Sequence, residues 1–124
     1  DALGLPFIYV RSSSKSHGLT NQIEGQYAAG QKVVVLEDLV SSGGSSLAAV
    51  DALRTQKMDV LGMTAIFNYG FPIAHQNFID NSVELIYLSE YSLLIDLALA
   101  EGFIDASSAA TLKDWRASPE TWGK

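Results

Sequence analysis

The sequence predicts an α/β fold, an open and mainly parallel sheet flanked by helices, and three observations carry that prediction. Its 124 residues suffice for one sizeable core, burying about two thirds of the unfolded chain's surface, but not for two. Val33-Val34-Val35-Leu36 is an unbroken apolar and mostly β-branched run, the pattern of a parallel strand buried on both faces. Segments of strand character then alternate with segments whose apolar residues recur at helical spacing, as βαβ units with right-handed crossovers do. Residues 1–124 therefore read as a single domain without repeats or linkers.

The elements follow in order. Pro6 to Val10 is a short apolar run and reads as a buried strand. Arg11 to Asn21 is polar, small and aperiodic, so it reads as a mobile loop, with a brief extended piece around Gln22 to Gly25. Lys32 to Asp38 is the strongest strand signal. Ser41 to Ser45 makes a tight loop, and Ser46 to about Met58 is helical, with Leu47, Val50 and Leu53 on one stripe and Ser45 as the expected N-cap. Val60 to Phe67 is a strand, and Pro72 to Asp80 a helix with proline in its first turn. Val83 to Leu88 is a third core strand. Glu90 to Glu101 is a helix capped by Ser89 and closed by Gly102. Asp105 caps a last helix bearing Ala109, Leu112 and Trp115, and Pro119 stops it. Asp1-Ala2-Leu3-Gly4-Leu5 opens without Met, as though cut from inside a helix.

Composition excludes several classes. With 48% hydrophobic and 18% charged residues the chain is not disordered. A net charge of −6 is the wrong sign for wrapping nucleic acid or an anionic membrane. The absence of cysteine removes disulfides, zinc thiolates and thiol nucleophiles, and two histidines cannot build a multi-His metal site. No apolar run approaches the roughly 18 residues of a membrane span, and a cytoplasmic location is the expectation.

Open α/β sheets bind ligands beyond the carboxyl ends of their strands, which here selects Arg11 to Asn21 and Glu37 to Ser46. In the second segment two carboxylates end a strand, and a loop of serine and glycine leads into a helix N-terminus. The N–H groups of such a loop, with the helix dipole behind them, cradle a phosphate. Neither the G-x-x-x-x-G-K-[ST] loop of nucleoside triphosphatases nor G-x-G-x-x-G of dinucleotide enzymes occurs. A phosphate cradle beside two acids suits a ribose 5-phosphate, whose hydroxyls donate to carboxylates. The same residues also fit an ordinary serine-capped helix start with solvated acids. In the first segment, Arg11 and Lys15 are the only Lys or Arg between Asp1 and Gln31, and no acid interrupts Ala2 to Ile23. A locally cationic loop in an acidic chain suits an oxyanion, and His17 can donate to a leaving oxygen near neutral pH.

Val33-Val34-Val35-Leu36-Glu37-Asp38-Leu39-Val40-Ser41-Ser42-Gly43-Gly44-Ser45 resembles the phosphoribosyl pyrophosphate signature of type I phosphoribosyltransferases: four apolar residues, two acids, two apolar residues, then a hydroxyl and glycine loop. Arg11-Ser12-Ser13-Ser14-Lys15-Ser16-His17-Gly18, followed by Gln22-Ile23-Glu24-Gly25, is similar to the mobile catalytic loop of orotate phosphoribosyltransferases, with Ser12 where that family has a first Lys. The resemblance covers Asp1 to about Trp115. It implies a type I phosphoribosyltransferase fold and transfer of phosphoribose from its pyrophosphate donor to orotate, giving orotidine 5′-monophosphate and pyrophosphate in pyrimidine synthesis. It further implies that Arg11, Lys15, His17 and Asp38 are catalytic. Glu37 and Asp38 would hold the ribose hydroxyls, and Leu39, Val40, Ser41, Ser42, Gly43, Gly44 and Ser45 the 5-phosphate end. Magnesium is implied, bound mainly through the donor with no protein metal site, as is a homodimer in which the 11–21 loop reaches the other subunit. The family's N-terminal hood and pyrophosphate loop have no counterpart in these residues, so the chain is expected to be a C-terminal fragment, inactive alone.

Three other readings compete. A purine phosphoribosyltransferase shares the donor signature but not the Arg-x-x-x-Lys-x-His-Gly loop. A non-catalytic regulator that binds the donor fits the loss of the first loop Lys. A response-regulator module wants a Lys after a late strand, where Ser89 stands instead. His75 reads as a surface or packed residue, Trp115 as part of an apolar stripe, and Phe67 to Gly70 as core at a strand end.

Overall fold

The computed structural model describes residues 3–11 and 22–123. β1 (Tyr9–Val10) and β2 (Ile23–Glu24) form a small antiparallel pair, Tyr9 opposite Glu24 and Val10 opposite Ile23. β3 (Lys32–Val40), β4 (Asp59–Asn68) and β5 (Leu85–Glu90) form the main sheet in the order β3-β4-β5, all parallel. α1 (Gly44–Thr55) connects β3 to β4, and α2 (Pro72–Asp80) connects β4 to β5. α3 (Tyr91–Ala100) and α4 (Ala106–Ala117) follow, then a single 3-10 turn, Pro119–Thr121. The α/β architecture with a parallel sheet is as the sequence predicts, except that the first pair of strands is antiparallel and separate.

Why one face of the sheet is packed follows from strand alternation. Val35 on β3 and Met63 and Ala65 on β4 point to the side where α1 brings Leu47, Val50 and Leu53 and α2 brings Ala74 and Phe78, and all of these are buried. The intervening residues point the other way. Leu36 is 68% exposed while Val35 beside it is 8%, and Val34, Ile66, Ile86 and Leu88 are exposed with Leu36. Burial of the β3 run on both faces is therefore corrected: among the described residues, helices cover one face only. Pro6 to Val10 is likewise no buried strand, since Phe7 is 75% exposed and only Tyr9 and Val10 pair. Leu3 to Ile8 form no regular element, and Gly4 at φ 61 leaves the helical region.

The second apolar cluster joins α3 to α4. Tyr91, Ile95 and Ala109 are buried, with Phe67, Tyr69, Leu112 and Trp115 packed against them. The stripe expected on the last helix is thus real, and Trp115 sits edge-on to Tyr69 with ring centroids 5.7 Å apart. Ser89 does not cap α3; Glu90 holds that place and bonds no N–H with its side chain. Gly102, at φ 74, does follow the helix end. Asp105 caps α4 as expected, its carboxylate accepting from the Ser108 N–H at 2.7 Å. No helix among the described residues is long and apolar enough to cross a membrane.

The Ser108 N–H, then the Ser108 and Ser107 hydroxyls, hold the Asp105 carboxyl below its usual value of 3.8. A depressed carboxylate stabilises the fold above its unfolded value, and that contribution is lost as pH falls through the folded one. Asp105→Ala is therefore expected to lower Tm by a few degrees at neutral pH. In melts at decreasing pH the gap from the parent should narrow below about pH 4.

Candidate phosphate and ribose site

β3 runs on to Val40, two residues beyond the expected strand end, because Val40 is wholly buried and its carbonyl accepts from the Tyr69 N–H at 3.0 Å. Glu37 and Asp38 therefore lie within the strand and point to opposite faces. Glu37, half-buried, faces the α1 side, where Ser46 is only 2% exposed. Burial first, and the Asp38 charge second, raise the Glu37 carboxyl above its usual 4.5, while a hydrogen bond from the Ser46 hydroxyl pulls it back. Asp38 is exposed on the open face. Each acid thus presents oxygens to a different side of the strand.

The loop after β3 enters α1 through Gly43 at φ 82, ψ −2, and Gly43, not Ser45, is the N-cap. Its backbone is in the left-handed region that glycine adopts without cost. No side chain caps α1, so the first N–H groups of the helix have no side-chain partner, and of their residues Gly44 and Ser45 are exposed. Ser41, Ser42, Gly44 and Ser45 are exposed, whereas Gly43 is buried against α2. A Cβ on Gly43 would stand 2.8 Å from Phe78 Cε2. The Asn77 side-chain amide donates to the Ser42 carbonyl at 3.0 Å. Neither contact was visible in the sequence, where Asn77 and Phe78 read only as helix; the glycine pair was the one local signal.

Arg11 sits at the end of β1. Its N–H donates to the Gln22 carbonyl at 2.8 Å, and its guanidinium pairs with Glu24. The sequence segment looks purely cationic up to Ile23, yet the antiparallel pairing delivers an acid to Arg11 from β2. Contact between Arg11 and a second anion requires loosening a half-exposed pair, a cost of about 1 kcal/mol or less. Lys15, His17 and the rest of the expected 11–21 loop after Arg11 lie outside the described residues.

Beside this strand end lies the turn after β4. Asn68, 7% exposed, accepts from the Gly70 N–H at 2.9 Å. Arg116 of α4 donates to the carbonyls of Tyr69 and Gly70, at 3.0 and 2.7 Å. Tyr69 and Phe71 stack with rings 2° from parallel. A cleft of about 410 Å³ opens between this turn, α2 and β5, with His75 and Arg116 on its wall. None of its lining residues comes from Glu37 to Ser45, so it adjoins the candidate phosphate loop without including it. His75 is exposed, as the sequence suggested. The described residues hold no group of three acidic, histidine or cysteine side chains placed to bind a metal ion.

Comparison with known proteins finds relatives of the whole chain. The chain is 53% identical over 123 residues to the orotate phosphoribosyltransferase of Porphyromonas gingivalis, a match covering 99% of the chain and 59% of that protein. The chain thus spans about three fifths of the length of the curated relatives it matches. No family model matches it. Among solved structures, Leishmania donovani UMP synthase superposes with a TM-score of 0.78 at 22% identity, over 94% of this chain and 25% of that one, which establishes the fold. The Aeropyrum pernix orotate phosphoribosyltransferase superposes with a TM-score of 0.70 at 25% identity, over 84% and 56%. The Mycobacterium tuberculosis orotate phosphoribosyltransferase in complex with 5-phospho-α-D-ribosyl 1-diphosphate gives 0.57 at 25% identity, over 68% and 47%.

Two measurements check the geometry of the strand end. Gly43→Ala, which meets both the left-handed backbone and the Phe78 ring, is expected to cost about 1–3 kcal/mol in denaturant unfolding; a change of a few tenths would show that the loop is not held as described. For Glu37 the sign is opposite to that of Asp105. A raised carboxyl contributes stability that is full below 4.5 and lost as pH rises through the folded value. Replacing it by Gln removes that loss, so the Tm of Glu37→Gln minus that of the parent should grow between about pH 4 and about pH 7. A constant difference would place Glu37 in a fully solvated setting.

Proposed function

Because the chain belongs to the orotate phosphoribosyltransferase family, we propose that it carries the donor-binding half of a transfer of phosphoribose from phosphoribosyl pyrophosphate to orotate, giving orotidine 5′-monophosphate and pyrophosphate in pyrimidine synthesis. The observation that carries this reading is the β3–α1 junction of a chain 53% identical to such an enzyme: two acids, then a loop whose helix N–H groups have no side-chain cap.

The chemistry divides among its residues. The N–H groups from Gly43 to Ser45 and the hydroxyls of Ser41, Ser42 and Ser45 take the 5-phosphate, with the α1 dipole behind them. Leu39 and Val40 set the loop's start by anchoring β3 in the sheet. Asp38 and Glu37 accept from the ribose hydroxyls and fix the ring, and Asp38, exposed on the open face, opposes the positive charge that develops at C1. In the reaction the C1–oxygen bond to pyrophosphate breaks and its electron pair leaves with pyrophosphate, while a ring nitrogen of orotate releases its proton to solvent and bonds to C1. Arg11, Lys15 and His17 stabilise that departing charge, Arg11 after exchanging Glu24 for the pyrophosphate and His17 by donating to its oxygen. Residues 11–21 act as a loop that closes over the donor and excludes water.

Magnesium would be bound mainly through the donor. Glu37 and Asp38, at the strand end, are the hard carboxylates that would face it. When bound, the ion neutralises charge on the leaving pyrophosphate. The apolar side chains left exposed on α3, Leu93, Leu94 and Leu97, support a homodimer as the working form, with the 11–21 loop serving the neighbouring subunit's site. The proposed setting is cytoplasmic.

Protein carrying this chain, given phosphoribosyl pyrophosphate, magnesium and one base at a time, is expected to consume orotate and leave hypoxanthine and adenine untouched. Turnover of a purine without orotate would overturn the assignment, and donor binding without any turnover would favour a regulator. Lys15→Ala should slow orotate turnover by about 10²- to 10³-fold, and an unchanged rate would remove Lys15 from the mechanism. Chelating magnesium should abolish turnover.

A further inference from the structure

The loop that takes the phosphate is held from a direction that the donor signature does not reveal. α2 is stapled to α1 at two points. At the far end, Arg54 of α1 donates to the carbonyls of Asn81 and Ser82, at 2.8 and 3.2 Å. At the near end, Asn77 donates from its side-chain amide to the Ser42 carbonyl at 3.0 Å, across 35 residues of sequence. One residue on, Phe78 is 3% exposed and fills the place where any side chain at Gly43 would go. Asn77 is itself fixed, because its own carbonyl accepts from both the Asn81 N–H and the Asn81 side-chain amide, at 3.1 and 2.8 Å.

The peptide bond between Ser42 and Gly43 is planar and trans, so its carbonyl and its N–H point to opposite sides. A carbonyl turned toward α2 therefore turns the Gly43 N–H away from α2. Gly43, free to rotate in isolation, cannot undo that orientation while Phe78 occupies its flank. We infer that Asn77 is a positioning residue for the phosphate loop, orienting the Ser42–Gly43 peptide so that the loop N–H groups converge on the donor's 5-phosphate. The inference rests on the reading of Ser41 to Ser45 as the phosphate cradle. It predicts an effect on donor affinity and little on the chemical step, since a 5-phosphate is gripped equally in ground and transition states.

The test compares two variants at the near staple with one at the far staple, in protein carrying this chain. Asn77→Ala is expected to raise KM for phosphoribosyl pyrophosphate about tenfold, with kcat and KM for orotate within about twofold of the parent. Asn77→Asp keeps the size but sets a carboxylate against the Ser42 carbonyl, and should raise donor KM further. Arg54→Met cuts the other staple, and should lower Tm while leaving donor KM unchanged. An unchanged donor KM in both Asn77 variants, or an equal rise in Arg54→Met, would overturn the inference, the second by showing a general loss of packing. If the parent protein turns over no orotate, the proposed reaction falls and the clamp is judged on inorganic phosphate alone. Amide resonances of Gly43 to Ser45 should then shift with a midpoint about tenfold lower in the parent than in Asn77→Ala. Equal midpoints would overturn the clamp.

Discussion

The chain passes from β3 into α1 through a single left-handed residue, Gly43, pressed so closely on Phe78 that no other amino acid fits without displacement. Much of the site depends on that constraint. It lets β3 stay paired as far as Val40, so that Glu37 and Asp38 are held by the sheet and not by a loop. It also starts α1 immediately afterwards, with its first N–H groups unclaimed by any side chain. A serine cap in the same place would have satisfied one of those donors internally and weakened the attraction for a phosphate. The junction leaves donors open where many helices close them.

The electrostatics of an acidic chain are compatible with an anionic donor because the charges are distributed by face. Asp38 stands exposed, while Glu37 is drawn toward α1, where burial favours its protonated form and the Ser46 hydroxyl favours the ionised one. The anion loop itself contains no acid between Leu39 and Val50. Arg11 arrives from the small antiparallel pair already engaged with Glu24, which keeps the guanidinium oriented. Arg116 is occupied with the Tyr69 and Gly70 carbonyls, where it shapes the neighbouring turn.

Local signals in the sequence were legible wherever one residue's own chemistry decides the outcome. The β-branched run from Val33 to Val35, the proline opening α2, Gly102 after α3 and Asp105 at the start of α4 all act as their residue types dictate. The strand-to-helix junction was legible for the same reason, since a serine and glycine loop after an apolar run marks where a strand ends and a helix begins. What escaped depends on partners distant in sequence. The choice of Gly43 over Ser45 as N-cap is made by Phe78, 35 residues away, and the hold on Ser42 by Asn77. The Arg116 bonds to the turn after β4 span 46 and 47 residues. Burial of the main sheet was overestimated because an apolar run reports only that a strand suits a core, and Leu36, Ile66 and Leu88 meet no covering helix among the described residues.

Central to the whole reading is that the β3–α1 junction binds a ribose 5-phosphate and its pyrophosphate. Calorimetric titration with phosphoribosyl pyrophosphate in the presence of magnesium measures that directly. Saturable binding of one donor per chain, displaced by ribose 5-phosphate and absent with orotate alone, is the expected result. No detectable heat at millimolar donor would contradict it, and would leave the α/β fold standing without the site.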